Sequence, residues 1–238
     1  MSSTVVSASV AARNRLLAAL PSDELQRLLP EMRVVHLDVG QMVFEREQRL
    51  RVVHFPLTAI LSMVNEDEHG GSVEVGTVGH EGMNGIPVAL DAHGMPTTCF
   101  CQIEGDSITL PADVVRREMV ESGAFTRVLH RYTMFFLTMV AQGSACNRLH
   151  EVDERCARWL LMTHDRADSD TFRLTQEFLA VMMGVRRASV SVAAAALQKA
   201  GFITYRRGEI TVLNRAGLEQ ATCECYGIIT REYERLLG

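Results

Sequence analysis

The stretch LTQEFLAVMMGVRRASVSVAAAAL, residues 174–197, contains two short helical patterns. Apolar side chains recur at helical spacing across residues 178–183, which predicts a helix with one buried face. Gly184 follows directly, and glycine readily adopts the left-handed turn conformation that other residues resist. A second helical pattern begins near Arg186. Two short helices joined by a glycine turn predict a helix-turn-helix.

The second helix of this pair has an apolar back and a polar front. Val190, Ala194 and Leu197 form its buried stripe, so the opposite side is free to face a ligand. In a helix-turn-helix that reads DNA, the second helix enters the major groove with the residues near its N-terminus against the bases. The pattern therefore predicts a DNA-recognition helix. A helical hairpin that binds no nucleic acid is the alternative.

Two strand-like segments follow, at residues 202–205 and 209–212, and a basic Arg-Arg-Gly turn joins them in a hairpin. This addition predicts a winged helix-turn-helix. Residues 172–215 hold seven basic and two acidic side chains, a net charge of +5 in a chain whose formal net charge is −5. Positive charge concentrated in one segment of an acidic chain is typical of a surface that faces phosphates.

The composition favours a soluble regulator of two domains. A chain of 238 residues with 47% hydrophobic content is long enough to bury a substantial core. No apolar run approaches the roughly 20 residues that span a bilayer, and the N-terminal sequence lacks the apolar stretch of a secretory signal. We therefore expect a cytoplasmic protein without membrane contact. Six cysteines in a chain of this size do not indicate a disulfide scaffold.

The N-terminal half alternates short β patterns with Gly and Pro turn residues, which predicts a small antiparallel barrel or jelly roll. A short helix at residues 22–29, with Ser22 as its N-cap, is expected to precede it. The predicted strands lie at residues 34–37, 42–45, 52–55, 59–64, 73–78, 97–103 and 107–110.

A long segment without proline, residues 122–150, follows the β region. Its apolar and small side chains recur at steps of three and four, a heptad seam that predicts a long helix packed against its own copy. The alternative is a helix buried inside one subunit. The seam consists of Phe125, Leu129, Tyr132, Phe136, Met139, Gly143, Cys146 and His150. The side chains expected to cover the β region instead are Met134, Phe135, Leu137 and Val140.

A β-roll, a long helix and a C-terminal winged helix-turn-helix in this order resemble the Crp/Fnr family of bacterial transcription regulators. The most specific segments are LTQEFLAVMMGVRRASV, the wing FITYRRGEITV and HEVDERCARWLL. The resemblance implies an α+β fold and a homodimer that binds double-stranded DNA at a roughly palindromic operator. It also implies contact with RNA polymerase. The implied parts are a β-roll sensor domain, 13–121, a dimerisation helix, 122–150, and a DNA-binding domain, 151–238. The sequence pattern at residues 214–237 predicts a last helix, capped by Asn214.

The resemblance also assigns residues to DNA contact. Arg187 matches the family arginine that reads guanine, and a bidentate contact to O6 and N7 suits its guanidinium fork. Ala188 stands where many members have a base-reading Glu, and Val192 where cAMP-type members have another Arg, so the operator should differ from the cAMP-receptor consensus. Side chains on the wing are expected to touch phosphate. The predicted DNA-contacting residues are Thr175, Gln176, Arg186, Arg187, Ala188, Ser189, Ser191, Arg206 and Arg207.

The segment 79–86 resembles the phosphate-binding turn of the family, in which glycines let backbone N–H groups approach an anion. Met83 and Asn84, however, occupy the place of the family's ribose-binding Glu, and no Arg or Lys occurs in residues 52–115. Nine acidic residues in that interval would repel a phosphate. A response to cAMP is therefore not expected, and the effector stays open. The candidate ligand-pocket residues are Gly82, Met83, Asn84, Gly85, Thr97 and Thr98.

Two cysteine pairs, Cys99 with Cys101 and Cys223 with Cys225, raise the alternative of a metal site or a redox switch. Ordinary buried thiols are the favoured interpretation, because cysteine packs as a small apolar residue, so neither a metal site nor a cofactor is predicted. The sequence has no Walker loop, Gly-x-Ser-x-Gly elbow or His-Glu-x-x-His motif, and no enzymatic activity is expected. A further alternative is an N-terminal domain that serves only protein interaction.

Overall fold

The chain folds into a β-roll, a long helix and a C-terminal module of helices and strands, the predicted α+β class. The structure is a computed structural model that describes residues 6–238. The strands of the roll are β1 Arg33–Leu37, β2 Met42–Phe44, β3 Val52–Pro56, β4 Ile60–Glu66, β5 Ser72–Val78, β6 Thr98–Ile103 and β7 Gly105–Pro111. They form two antiparallel sheets, in the orders β1-β7-β3 and β2-β6-β4-β5. All seven predicted strands are confirmed, with ends that differ by at most two residues.

The interior of the roll is apolar, and inward-facing strand positions such as Phe55, Leu61 and Ile108 are fully buried. Short helices close the roll at its ends. These are α1 Ala8–Ala11, α2 Arg15–Ala18, α3 Ser22–Leu28, α4 Ile86–Ala89 and α5 Ala112–Glu121, with a 3-10 turn at Leu29–Glu31. The predicted Ser22 cap is wrong, because Ser22 is already the first residue of α3 and the extended Pro21 precedes it as N-cap.

The long helix α6 spans Gly123–Leu149, and Ser122 caps it by accepting a hydrogen bond from the Phe125 N–H. Most of the predicted seam faces the interior of its own subunit. Its side chains Phe125, Leu129, Tyr132, Phe136, Met139 and Cys146 are at most 8% exposed. The prediction that they meet a second copy is therefore wrong. The reason is that α6 packs against both the roll and the last helix of the chain, so one subunit covers a wide apolar band. Of the side chains expected to cover the roll, Phe135 and Val140 do pack against its core.

The opposite side of α6 is exposed and carries apolar side chains of its own. Met134 is 48% and Leu137 60% exposed, so their predicted packing on the β region is wrong. Ala141 and Ser144 are also exposed and continue the same side of the helix at steps of four and three. We call the row Met134, Leu137, Ala141 and Ser144 the outer face of α6.

The C-terminal module combines helices with a three-stranded antiparallel sheet. Its elements are α7 Val152–His164, β8 Thr171–Arg173, α8 Gln176–Met183, α9 Arg187–Lys199, β9 Ile203–Arg206, β10 Glu209–Val212, α10 Arg215–Ala221 and α11 Cys225–Leu237. Strand β10 lies between β8 and β9. The sequence analysis did not predict β8, since three residues are too few for a periodic pattern. The predicted last helix is in fact two helices, because the backbone turns extended at Thr222, and Asn214 caps only the first of them.

The module is docked against the rest of the chain. Trp159 on α7 donates a hydrogen bond from Nε1 to the Glu74 carboxylate on β5, 2.9 Å away. Phe178 on α8 meets Phe100 on β6 edge to face, with 6.0 Å between ring centroids. Helix α11 packs along α6, where Tyr233 joins the apolar core of the roll. The roll and the module therefore share contacts through α7, α8 and α11.

Within residues 6–238, no single helix is long and apolar enough to cross a membrane. Only α8 and α9 taken together reach that length and apolarity, and a bend of 109° separates them. Both helices contribute to the core of the C-terminal module, in which Leu179, Val190 and Leu197 are buried.

Candidate nucleic-acid interface

A tight turn fixes the angle between α8 and α9. Thr175 caps α8 by accepting a hydrogen bond from the Phe178 N–H, 3.1 Å away. At the other end of α8, Gly184 has a φ of 62° and a ψ of 38°, the left-handed conformation that commonly ends a helix. The two helices are then inclined at 109°, within the roughly 90–120° of helix-turn-helix units. The predicted turn glycine is confirmed.

A buried arginine that the sequence analysis did not single out supports this turn. Arg155 on α7 is 8% exposed and donates from Nη2 to the carbonyl oxygen of Met183, 2.6 Å away. The last carbonyls of a helix lack partners within the helix, so this bond satisfies one of them. Burial lowers the pKa of Arg155, yet a guanidinium stays charged in proteins. Periodicity alone places Arg155 on a helix, and only the packing of α7 against α8 reveals its role.

The front of α9 is open at its N-terminal end. Arg186, Arg187 and Ala188 are exposed, Ser189 is half-buried, and Val190 behind them is fully buried. Arg186 is the N-cap and no side chain caps the helix, so the first N–H groups of α9 are available to an anion. The side chains predicted to face DNA thus lie on the solvent side of α9.

Hydrogen bonds connect this front to the start of α8. Ser191 Oγ lies 2.7 Å from Gln176 Oε1 and 3.0 Å from the Arg187 carbonyl, and it can donate to either. Arg187 Nη1 lies 3.7 Å from Glu177 Oε2, and both side chains are mostly exposed. An exposed ion pair is worth only about 0–1 kcal/mol, so a base or phosphate can displace Glu177 at small cost.

The wing turn lies beside the start of α8. Arg207 and Gly208 join β9 to β10 with φ values of 53° and 77°, the pattern of a two-residue type I′ turn. The Gly208 carbonyl accepts a hydrogen bond from the Leu174 N–H, 2.8 Å away. This bond holds the exposed Arg206 and Arg207 next to Thr175, the cap of α8. The wing and the N-terminal ends of α8 and α9 therefore form one continuous surface, which we call the basic surface.

Six of the seven basic side chains in residues 172–215 are exposed, namely Arg173, Arg186, Arg187, Lys199, Arg206 and Arg207. The seventh, Arg215, donates to Asp165 at 2.6 Å and to Glu219 at 2.9 Å. Desolvation disfavours its charge, but the hydrogen bond to Asp165 and the negative charges of Asp165 and Glu219 together outweigh it and raise the pKa of Arg215. Arg215 therefore serves ion pairs inside the module rather than the basic surface.

The hairpin between β4 and β5 borders the basic surface. Residues 70–72 of this hairpin line one wall of a groove, and α8, the turn and the start of α9 line the other, including Arg186 and Arg187. The same hairpin exposes Glu66, Asp67 and Glu68. In this arrangement of roll and module, DNA approaching the front of α9 would meet negative charge at one edge.

The predicted ligand turn, residues 82–85, is packed against α6. All four residues are buried, and Asn84 donates from Nδ2 to Cys99 Sγ, 3.2 Å away. Tyr132 on α6 approaches Gly82 so closely that an added Cβ would lie within 2.6 Å of three of its atoms. Of the other candidates, Thr97 is buried and Thr98 is half-buried at the start of β6. The binding of a ligand by these six residues stays a prediction.

Two arginines distant in sequence lie beside this turn. Arg166 Nε donates to Glu81 Oε1, 2.8 Å away, and both side chains are at most 10% exposed. Desolvation opposes its charge, but the pair with Glu81 raises the pKa of Arg166. Arg15 lies over the Tyr233 ring, 4.4 Å from its centroid, and with Arg166 it lines a cavity of about 270 Å³. No Arg or Lys occurs in residues 52–115. The sequence did not predict Arg15 and Arg166 beside the turn, because they come from α2 and from beyond the end of α7.

Comparisons with known proteins agree with this architecture. Residues 154–221 match the Crp-like helix-turn-helix domain family. Among similar solved structures, FixK2 from Bradyrhizobium japonicum is 14% identical over 81% of this chain and 98% of its own, with a TM-score of 0.70. A transcriptional regulator from Eubacterium rectale assigned to the Crp/Fnr family is 16% identical over 87% and 96%, with a TM-score of 0.67. TTHB099, a Crp-family regulator from Thermus thermophilus, is 19% identical over 86% and 98%, with a TM-score of 0.65.

A comparison with curated proteins found no match. The solved structures establish the fold over 81–87% of this chain, and residues 154–221 match the Crp-like helix-turn-helix domain family. The predicted resemblance to Crp/Fnr transcription regulators is confirmed at the level of domain family and fold.

Proposed function

We propose that this chain, a DNA-binding regulator with a Crp-like helix-turn-helix domain and the fold of the Crp/Fnr family, binds a roughly palindromic operator as a homodimer. The basic surface is the observation that supports this most. Its exposed arginines on α9 and the wing flank one helix front, at whose N-terminal end Arg186, Arg187 and Ala188 are open to solvent. Such a surface suits a major groove together with the phosphates on either side.

Within this surface we assign base reading to α9 and positioning to its surroundings. Arg187 is exposed in the first turn of α9, where a guanidinium can bind O6 and N7 of guanine. Arg186, Ser189, Thr175 and the wing arginines lie at the edges of the same surface and suit phosphate contact. Ala188 is too short to bind a base edge by hydrogen bonding, so the operator differs from one read by a Glu at that place.

The dimer is proposed to form through the outer face of α6. Exposed side chains at steps of three and four along a helix of 27 residues are typical of a seam between two copies. Met134 and Leu137 supply apolar area, while Ala141 and Ser144 permit close approach of the two helices. A two-fold axis along this helix would present two α9 helices to successive major grooves. We retain the division into 13–121, 122–150 and 151–238 for the three parts.

The response to a signal is proposed to be independent of cAMP. Tyr132 packs directly on the turn at residues 82–85. By resemblance, Met83 and Asn84 occupy the place of the ribose-binding Glu of the family's cAMP-binding members. We propose a non-catalytic cytoplasmic regulator that contacts RNA polymerase, and we propose no effector for it.

Selection of bound sequences from a random DNA library tests the function. Repeated rounds with the full-length protein should enrich a palindrome whose half-sites are centred about one helical turn, roughly 10 base pairs, apart. As a control, a variant with Arg186, Arg187, Arg206 and Arg207 all changed to Ala should enrich nothing. An unrelated asymmetric motif would argue against the dimer, and no enrichment by the unmodified protein would argue against the function.

A further inference from the structure

Three cysteines and one histidine meet where α6 ends. Cys146, Cys223 and Cys225 are buried and form a cluster separate from the two apolar cores of the molecule. His150, the C-cap of α6, lies beside them with 15% of its side chain exposed. One ligand atom from each of the four residues lies within 4.8 Å of all the others.

The fold assembles this cluster from two distant parts of the chain. Cys146 and His150 are four residues apart, so they lie on the same side at the end of α6. Cys223 lies in the turn between α10 and α11, and Cys225 is the first residue of α11. The packing of α11 along α6 brings both to the same place. No metal site was predicted from the sequence, because the spacing pairs Cys223 only with Cys225. Nothing in the sequence indicates that Cys146 and His150 lie beside this pair.

The distances in the cluster suit a single tetrahedral ion. Zinc lies about 2.3 Å from thiolate sulfur and about 2.0–2.1 Å from imidazole nitrogen, which for tetrahedral angles separates two sulfurs by about 3.8 Å and a sulfur and a nitrogen by about 3.5 Å. Cys146 Sγ lies 3.5 Å from Cys223 Sγ, and Cys225 Sγ lies 3.5 Å from His150 Nδ1. Both distances are within a few tenths of an ångström of that geometry.

The surroundings of the cluster resemble those of metal ligands. His150 directs Nδ1 toward the thiols, while its Nε2 lies 3.2 Å from the Glu224 carboxylate. A carboxylate on the outer nitrogen of a metal-bound histidine fixes the ring orientation and increases its basicity. Gln142 Nε2 donates to Cys225 Sγ at 3.1 Å, which orients a second ligand.

We propose that Cys146, His150, Cys223 and Cys225 bind one thiophilic divalent cation of the zinc class. Three thiols and one imidazole complete a four-ligand shell, the closed arrangement of structural zinc sites. Binding transfers three thiol protons to solvent and leaves a site of net charge −1. The ion links the end of α6 to the α10–α11 turn across the break between α6 and α7.

The remaining cysteines lie outside this site. Cys99 and Cys101 are buried on β6, where Cys99 accepts a hydrogen bond from Asn84 and Cys101 donates one to the Ile103 carbonyl. Cys156 is buried in the core of the C-terminal module. These three thiols therefore provide matched controls for variants of the cluster.

Titration of the reduced full-length protein with Co²⁺, a spectroscopic substitute for Zn²⁺, tests the proposal. We expect one Co²⁺ per chain, with visible bands of tetrahedral Co²⁺ and a near-ultraviolet thiolate-to-metal absorption, both lost when one equivalent of Zn²⁺ is added. Cys225→Ser should reduce the thiolate absorption by about one third, and Cys156→Ser should leave it unchanged. The unmodified protein alone decides the matter if a variant fails to fold.

Three results would overturn the proposal. The first is no tetrahedral Co²⁺ spectrum in the reduced protein. The second is a spectrum unaffected by changing Cys146, Cys223 and Cys225 to Ser in a folded variant. The third is a disulfide between Cys146 and Cys223 that persists, by mass spectrometry, in protein kept under reductant. A Zn²⁺-induced rise in melting temperature that is lost in His150→Ala and kept in Cys156→Ser would support it.

Discussion

Arg187 is the side chain on which base reading should depend most. It is exposed in the first turn of α9, and its guanidinium lies 3.7 Å from the exposed carboxylate of Glu177. Arg187→Ala should weaken binding to the selected operator by about 1–3 kcal/mol and relax the preference at one base pair in each half-site. Fluorescence anisotropy with operator variants measures both effects. Arg231→Ala, an exposed arginine on α11, is the control, and equal losses in the two variants would contradict the assignment.

Arg206 should act differently, because it lies on the wing at the edge of the basic surface. Arg206→Ala should weaken binding to all sequences to the same extent and reduce the slope of log affinity against log salt by about one. Arg206 is a better test than Arg207, whose φ of 53° makes any substitution a change in the turn as well. If Arg206→Ala loses affinity only for the specific operator, Arg206 contacts bases rather than phosphate, contrary to the prediction.

His54 on β3 is expected to give the fold a dependence on pH. It is 7% exposed, and burial lowers its pKa from 6.5 to about 4. Below pH 6.5 the His54 imidazole binds a proton in the unfolded chain but stays neutral in the folded chain. The free energy of unfolding should therefore fall by about 3 kcal/mol between pH 6.5 and pH 4. Urea unfolding at several pH values measures this, and His54→Leu should flatten it. The exposed His93→Leu should not, and an unchanged slope in His54→Leu would assign the effect elsewhere.

Among the elements, the strands of the roll, the two wing strands and the turn glycine were predictable because local pattern determines them. Glycine is the usual residue where a left-handed conformation ends a helix, as at Gly184. In the strands of the roll, apolar patterns and turn residues alternate within short windows. The orientation of α6 was not predictable. Its apolar side chains cover more than one face, and its packing against both the roll and α11 decides which side stays exposed.

A charge on the outer face of α6 tests whether this face forms the dimer interface. Leu137→Glu places a charge at the centre of the proposed seam, while its 60% exposure means that the fold itself should lose less than about 0.5 kcal/mol. Sedimentation equilibrium should show a monomer where the unmodified protein is a dimer. Val120→Glu, at an 88% exposed site on α5, is the control and should remain dimeric. A dimeric Leu137→Glu variant would place the interface elsewhere.

For the molecule as a whole, the docking of the C-terminal module on the roll could not be predicted from the sequence. Glu74 and Trp159 belong to separate sequence patterns, and neither pattern indicates their hydrogen bond across 85 residues. The charge asymmetry of the chain was predictable, but the placement of acidic residues 66–68 beside the basic surface was not. This placement suggests that the docked arrangement competes with DNA.

Weakening the docking from the side of the roll tests that competition without altering the basic surface. Glu74→Ala removes the acceptor for Trp159 Nε1 and for Ser62 Oγ. If the docked arrangement competes with DNA, the variant should bind the operator up to about tenfold more tightly, since a hydrogen bond contributes about 0.5–1.5 kcal/mol to stability. Glu68→Ala, on the exposed hairpin, separates this effect from simple loss of negative charge. Unchanged or weaker binding by Glu74→Ala would mean that the docked arrangement is kept on DNA.

Two copies of α9 are proposed to read guanines in successive major grooves, and methylation interference on the selected operator measures those contacts base by base. Methylation of guanine N7 in the major groove should abolish binding at one or more guanines in each half-site, about one helical turn apart. In Arg187→Ala, at least one symmetric pair of these guanines should become insensitive. Interference confined to a single half-site, or the same pattern in the Arg187→Ala variant, would contradict the account.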